Sequence, residues 1–360
     1  MDTLKVNIDV ENSTISVYNN GKGIPIEMHA TEGCYIPELI FGHLLTSSNY
    51  DDDERKVTGG RNGYGAKLAN IYSTEFTVET CDSISRKRYK QTFRDNMGAK
   101  DKPKITDNKK AEDWTRITFK PDLVRFNMTE IDKDTVSLIK KRVYDMAGIT
   151  KGVKVFLDDE RVKVKDFKAY VEMYTGAINH VNGTVAGVKV GKGDVGADLA
   201  GAVAKPAIIY EQFGERWEVA FAISEGQFQQ VSYCNSIATT KGGTHVAYIA
   251  DQIVSGIVEL VKKKNKAAPV KPFQIKNHLW VFVNCLVENP AFDSQTKENM
   301  TLGAKKFGSK CELTPEFLKK GSSLRSLFRF SLLTIRSVLQ SRNPVSSTTS
   351  SIGPSSSKIR

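Results

Sequence analysis

A chain of 360 residues, 40% hydrophobic and 26% charged, can hold two ordinary domains with their own cores and reads neither as collagen nor as a disulfide scaffold. The net charge of +11 permits nucleic-acid binding without arguing for it, because Arg325, Arg329, Arg336, Arg342, Lys358 and Arg360 lie in an acid-free tail and leave an excess of only +5 elsewhere. Scattered cysteines without a CxxC pair and dispersed histidines argue for reduced thiols and against a zinc site, and no signal peptide or membrane-length apolar run is present.

The chain opens in a predicted hairpin. Val6, Ile8 and Val10 alternate with polar residues, Glu11-Asn12 turns the chain, and Ile15 and Val17 alternate again. A hairpin this early has no preceding helix to cover its apolar face, so the chain reads as starting inside a fold. Residues 37–45 predict a short helix, 46–65 a polar Gly-rich loop, and 66–72 a helix entered from that loop. Residues 76–80 and 89–93 alternate like paired strands, and 115–120 is another. Thr129 precedes an acidic turn and is expected to cap a helix that runs to Ala147 and ends at Gly148. A strand at 153–157 closes a first domain, 1–163.

The second domain, 164–320, begins with a predicted helix at 167–174. Strands follow at 217–223 and 229–238. Thr244 is expected to cap a helix over 245–262, in which Ile249, Ile253, Ile257 and Val261 recur at helical spacing, and 280–287 is an apolar strand. The order strand, strand, helix, strand predicts an α+β unit with a crossover helix. Residues 176–206, rich in glycine and lacking aromatic residues, read as a flexible insertion. Residues 321–360, rich in Ser and Arg, read as a disordered tail.

Four segments could carry chemistry. Thr58-Gly59-Gly60-Arg61-Asn62-Gly63-Tyr64-Gly65-Ala66-Lys67 joins a polar loop to a helix start. Glycines let its backbone turn and approach a ligand, and N–H groups at a helix N-terminus attract phosphate oxygens. Arg61 and Lys67 could add charge, but no Gly-Lys-Ser/Thr ending makes it a Walker A loop. Asn19-Asn20-Gly21-Lys22-Gly23-Ile24-Pro25 ends a strand with an amide whose donor and acceptor suit an adenine edge; a plain turn explains the same residues. Ser47-Ser48-Asn49-Tyr50 could bond a ribose or phosphate, although the acidic run behind it would repel phosphate. Asp293-Ser294-Gln295-Thr296-Lys297 follows a buried strand, and its lysine could reach a terminal phosphate. Gly191-Lys192-Gly193-Asp194-Val195-Gly196 spells GxGxxG but follows no strand, so it is rejected as a dinucleotide site.

In this order, Asn19-x-Gly21-x-Gly23 and Gly60-x-x-Gly63-x-Gly65 resemble the second and third sequence boxes of the GHKL ATPases, which include gyrase, Hsp90, MutL and histidine kinases. Longer strings are narrower. Ser47-Ser48-Asn49-Tyr50, residues 59–67, Phe228-Gln229-Gln230, Asn235-Ser236-Ile237-Ala238, Lys241-Gly242-Gly243 and residues 292–302 resemble the eukaryotic type IIA DNA topoisomerases. The likeness runs from about Leu4 to Lys320, apart from 176–206.

The resemblance implies an α+β chain: a layered GHKL-type α/β sandwich without its first helix, then a transducer α+β domain with a βαβ crossover. It implies ATP and Mg2+ as cofactors, double-stranded DNA as partner, a homodimer in the intact enzyme, a nuclear location and no membrane. Asn19 would meet adenine. Ser47, Ser48 and Asn49 would contact ribose and phosphate. Arg61, Asn62, Gly63, Tyr64, Gly65, Ala66 and Lys67 would wrap the triphosphate, and Gln295 and Lys297 would reach its γ-phosphate from the second domain. Lys262, Lys263 and Lys264 would contact DNA phosphates; the bland reading is a solvated helix end favoured by the dipole.

The family's first box, on a helix upstream of the opening hairpin, supplies a general-base Glu and a Mg2+-binding Asn. Neither stands in this sequence, and nothing in the spacing of Glu38 makes it a substitute. No catalytic residue is therefore assigned, and weak or no ATP binding without turnover is expected of this chain alone. The DNA-cleaving half is not in the sequence either. The alternative reading is a non-catalytic DNA- or partner-binding remnant of such an enzyme.

Overall fold

A computed structural model describes residues 1–44, 54–60, 63–181, 208–224, 226–264 and 270–322. The opening hairpin forms as its alternation requires: β1 (Thr3–Asp9) pairs antiparallel with β2 (Thr14–Asn19). Next come α1 (Ile36–Gly42), α2 (Tyr64–Ile71), β3 (Ser73–Asp82), β4 (Lys87–Arg94), β5 (Ala99–Lys100), β6 (Lys104–Asp107) and β7 (Trp114–Pro121). Then α3 (Lys133–Ile149) leads into β8 (Lys154–Leu157) and β9 (Glu160–Arg161). These strands make one nine-stranded sheet, ordered β5-β4-β3-β7-β2-β1-β8-β9, with β6 beside β4. Only β1 and β8 run parallel, which the α3 crossover between distant strands permits. Alternation sends Phe76, Val78, Tyr89 and Phe93 to one face, where they pack with Ile26 and with Phe41 of α1; Ala69 of α2 joins them. At the other end α3 lays Val143 and Ala147 on Val6, Val155 and Val162.

The second unit contains α4 (Phe167–Val181), β10 (Ile209–Phe213), β11 (Trp217–Ile223), β12 (Gln229–Cys234), β13 (Ile237–Ala238), β14 (Gly242–Gly243) and α5 (Thr244–Lys264). It ends with α6 (Pro272–Lys276), β15 (Leu279–Cys285), β16 (Asn299–Met300) and α7 (Pro315–Ser322). Its five-stranded sheet is ordered β10-β11-β15-β12-β13. β12 and β15 are parallel and α5 crosses between them, the βαβ crossover expected from the element order. Ile249, Ile253, Ile257 and Val261 of α5 pack on Val219, Phe221, Val281 and Val283. The opposite sheet face packs Ala220, Tyr233, Trp280 and Phe282 on Tyr170 and Val171 of α4. Burial on both faces explains why β11 and β15 read as unbroken apolar runs. The α+β class holds in both units.

Several boundaries differ from expectation. Thr129 does not cap α3: Asp132 does, its Oδ1 accepting from the Thr135 N–H at 2.7 Å. Nor does Gly148 end that helix. It lies inside, where a Cβ would stand 2.5 Å from Cγ of Tyr170, so its role is close approach of α3 to α4. Thr244 begins α5 but donates its hydroxyl to the Leu302 carbonyl instead of capping. The strand read over 229–238 breaks at Asn235 and Ser236, whose φ angles of 49° and 63° make a tight turn between β12 and β13. Helix α4 continues past Tyr174 to Val181, so the segment read as an insertion from 176 begins as helix. Residues 182–207 and the tail from 323 lie outside the described residues.

Candidate functional site

Between α1 and α2 the chain leaves the first sheet, and residues 54–60 run along the strand ends of the second unit. Asn289 grips this segment three times. Its N–H donates to the Lys56 carbonyl at 2.9 Å, its Oδ1 accepts from the Lys56 N–H at 3.2 Å, and its Nδ2 donates to the Glu54 carbonyl at 3.3 Å. Two residues on, Asn235 takes over. Its buried Nδ2 donates to the Thr58 carbonyl at 3.1 Å and to that of Val287 at 2.8 Å, while its Oδ1 accepts from the Val287 N–H. Gly59 then passes so close to the β12–β13 turn that a Cβ would stand 2.7 Å from Cδ1 of Ile237. Lys297 completes the seam, its Nζ donating to the Gly59 carbonyl at 2.8 Å.

Helix α2 starts at Gly63, whose φ of 66° is left-handed and whose missing side chain provides no cap for the first-turn N–H groups. A Cβ at Gly65 would meet nothing within 4 Å, so the backbone there borders open space. Lys67 lies 1% exposed beneath this turn, donating to the Gly63 carbonyl at 3.2 Å. Burial pushes its ammonium pKa down, and the same cause lowers that of Lys297. An anion placed beside either would favour its charged form.

These features border one cleft of about 590 Å³, lined by residues 58–60 and 63–65 on one side and by residues 290–295 and Lys297 on the other. That volume suits a small-molecule site. A helix N-terminus without a side-chain cap, glycine backbone and the Lys297 ammonium border it, with Lys67 buried beneath the turn, a set of groups that can receive an anion. Asp293 is the carboxylate on the lining, and the Nδ2 of Asn299 holds it at 2.9 Å.

Of the residues singled out from sequence, Gly63, Tyr64, Gly65, Gln295 and Lys297 line this cleft. Ala66 follows in the first turn of α2, with Lys67 beneath. Asn19 is not on the lining. It ends β2, and its Oδ1 accepts from the Gly21 N–H at 3.1 Å, the geometry of a strand-end turn. Gly23 has a packing reason of its own, since a Cβ there would fall 1.8 Å from the Cys81 carbonyl oxygen. Ser47, Ser48, Asn49, Arg61 and Asn62 lie outside the described residues. Lys262 and Lys263 are exposed in the last turn of α5, where Lys264 ends the helix. Among the described residues no group of three His, Cys, Asp or Glu could hold a metal ion, and no helix is long and apolar enough to cross a membrane.

Sequence reading missed Asn235 and Asn289 as the residues that place the glycine loop. Asn235-Ser236 carried a clue, because Asn tolerates left-handed backbone and marks turns. A second seam joins the units farther away. The carboxylate of Asp145, fully buried, accepts from Lys141 and Arg142 at 2.8 Å and from the Tyr170 hydroxyl at 2.6 Å, and Tyr170 in turn meets the Tyr233 hydroxyl.

Comparison with known proteins gives a consistent result. A family model described as DNA gyrase B matches residues 166–320. DNA topoisomerase 2 of Arabidopsis thaliana is 56% identical over 321 residues, covering 89% of this chain and 20% of that protein. DNA topoisomerase 2 of Saccharomyces cerevisiae is 53% identical over 320 residues, covering 89% and 22%. The chain therefore spans about a fifth of the length of the curated relatives it matches. The solved ATPase region of Saccharomyces cerevisiae topoisomerase II superposes with a TM-score of 0.80 at 49% identity, covering 93% of this chain and 80% of that one. The ATPase and transducer domains of DNA topoisomerase II from Balamuthia mandrillaris give 0.81 at 42% identity, with coverage of 93% and 80%. The 43K ATPase domain of Thermus thermophilus gyrase B, at 21% identity and a TM-score of 0.59, shares the fold.

Proposed function

The chain belongs to the DNA topoisomerase 2 family, and we propose that it is a nucleotide-binding and transducing unit that takes the triphosphate of ATP in the cleft between α2 and residues 290–297. The supporting observation is convergence. A bare helix N-terminus from the first unit and Lys297 from the second meet across one cavity, with Lys297 already bonded to the loop carbonyl of Gly59. Gly63, Tyr64 and Gly65 would present N–H groups to phosphate oxygens, with Ala66 continuing the turn. Lys67 would supply positive field from beneath. Lys297 would exchange the Gly59 carbonyl for the terminal phosphate, with Gln295 beside it. Arg61 and Asn62 would add contacts to phosphate, Ser47, Ser48 and Asn49 to ribose and phosphate, and Asn19 to the adenine. Mg2+, when bound with ATP, would neutralise phosphate charge while keeping much of its own water shell.

Asp293, the carboxylate lining the cleft, is engaged by Asn299, and no described residue there stands as a general base. Residues 1–360 by themselves are therefore proposed to bind nucleotide without appreciable turnover. In the longer proteins of the family this unit would serve ATP-dependent passage of one DNA duplex through another, in a nuclear homodimer. Lys262, Lys263 and Lys264 would touch duplex phosphates. Calorimetric titration with a non-hydrolysable ATP analogue and Mg2+ tests the cleft. Saturable binding that Lys297→Ala weakens about tenfold is expected, since a hydrogen bond to a charged group contributes about 1.5–3 kcal/mol. No heat with the wild-type chain, or equal affinity in the variant, would sink the assignment and favour the non-catalytic binding remnant.

A further inference from the structure

The nine-stranded sheet has a second face, turned away from α2, and its residues form an ordered row. Phe156 of β8 pairs with Lys5 of β1, Lys5 with Tyr18 of β2, and Tyr18 with Arg116 of β7. The row continues from Arg116 to Glu79 of β3, then to Lys90 of β4 and Lys104 of β6. Directly paired residues share a face, so the register alone aligns cations and aromatic rings across seven strands. In the next row Trp114, Cys81 and Arg88 are partners.

Side-chain geometry agrees with the register. The Arg116 guanidinium lies 5.4 Å from the Tyr18 ring and 5.7 Å from that of Trp114, and Arg88 lies 5.1 Å from Trp114. Lys5 stands 5.5 Å from the Phe156 ring, and the Tyr18 and Trp114 rings are 5.8 Å apart. Glu79 is the carboxylate in these two rows, shared among Arg88, Lys90 and Arg116 at 3.2, 3.8 and 3.9 Å. Arg88, Lys90 and Lys104 are exposed, and Lys5, Tyr18, Trp114, Arg116 and Phe156 are half-exposed. Lys5, Arg88, Lys90, Lys104 and Arg116 against Glu79 give a net +4, most of the +5 excess carried by residues 1–320.

We propose that this open sheet face is a platform for a single-stranded polynucleotide. At about 4.8 Å per strand the row is about 29 Å long, enough for a site of four or more nucleotides. The cations would meet phosphates. Bases would stack on the half-exposed rings of Tyr18 and Trp114 and on the guanidinium planes, a mode open to unpaired bases and closed to a duplex. A seven-stranded face is also too broad to enter a major groove about 12 Å wide. An acidic protein segment would use the cations but leave the interleaved rings without a role.

The test uses the whole chain without ATP, titrated with fluorescein-labelled 12-mers of oligo-dT and oligo-rU, a 12-base-pair duplex and poly-glutamate, in a salt series read by anisotropy. Single strands are expected to bind more tightly than duplex or poly-glutamate and to quench the fluorescence of Trp114, a change absent in Trp114→Phe. The oligo-dT and oligo-rU arms separate DNA from RNA. Arg88→Ala with Lys90→Ala should weaken single-strand binding about tenfold and flatten the log–log salt slope by about 1.4. Lys5→Ala with Lys104→Ala, outside the Glu79 ion-pair group, should flatten it similarly. Lys305→Ala with Lys306→Ala, exposed in the second unit, should leave single-strand affinity within about twofold. Wild-type affinity in both sheet variants, loss only in the Lys305–Lys306 variant, or duplex or poly-glutamate binding more tightly than single strands through the same sheet residues overturns the proposal.

Discussion

His245 is fully buried at the start of α5, where its Nε2 shares a hydrogen bond of 3.0 Å with the Thr239 hydroxyl and its Nδ1 has no partner. A second proton would add charge where no described group compensates it, and burial pushes its pKa down from 6.5 to about 4. Between those values the unfolded chain binds a proton that the folded chain refuses. Stability is therefore whole above pH 6.5 and falls on acidification through that window, by about 1.4 kcal/mol per pH unit and about 2 kcal/mol by pH 5. Urea unfolding of wild type and His245→Gln at pH 7 and pH 5 reads this directly. The wild type should lose about 2 kcal/mol more than the variant, and an equal loss in both would show that other groups carry the acid sensitivity.

Among elements, what could be read from sequence and what could not divide along a physical line. Strands β1, β2, β11 and β15 and the crossover helix α5 were legible because their apolar spacing is set by their own packing faces. The glycine-rich entry into α2 was legible because the left-handed backbone at Gly63 suits a residue without a side chain. Boundaries were misread where a distant element decides. Gly148 looks like a helix stop in sequence, yet it lets α3 approach α4 at Tyr170. Asn235 and Asn289 look like turn residues, yet each bonds a chain segment far away in sequence. Gly148→Ala separates local propensity from packing. Alanine gains about 1 kcal/mol of helix propensity, but its Cβ would stand 2.5 Å from Cγ and 2.6 Å from Cβ of Tyr170, atoms held near the α4 backbone. Overpacking costs about 1–3 kcal/mol, so a net loss is expected. Faster hydrogen exchange across α3 and α4 would register it, whereas a stabilised variant would mean that α4 shifts freely.

At the scale of the whole molecule, the glycine loop belongs by sequence to the first unit and by hydrogen bonds to the second. Residues 54–59 are held by Asn289, Asn235 and Lys297, all from the second unit. Those bonds grip backbone, so they transmit position independently of the loop's side chains. A ligand that orders the loop would therefore order strand ends β12 and β15 with it, because binding stabilises whatever folds together. With a non-hydrolysable ATP analogue, protection from hydrogen exchange is expected in α2 and also in the 235–238 turn and the 286–297 segment. Asn235→Ala with Asn289→Ala removes side-chain bonds to Glu54, Lys56 and Thr58 and leaves the N-terminus of α2 and Lys297 in place. Protection should then remain in α2 and in the 286–297 segment, whose Lys297 lines the cleft itself, and disappear from the 235–238 turn. Asn235→Ala also leaves the Val287 backbone groups without their side-chain partner, at about 1–3 kcal/mol. Asn289→Ala alone avoids that loss and should show the same uncoupling in part. Protection that still reaches the 235–238 turn in the double variant would mean that coupling runs through the α3–α4 seam of Asp145, Tyr170 and Tyr233 instead.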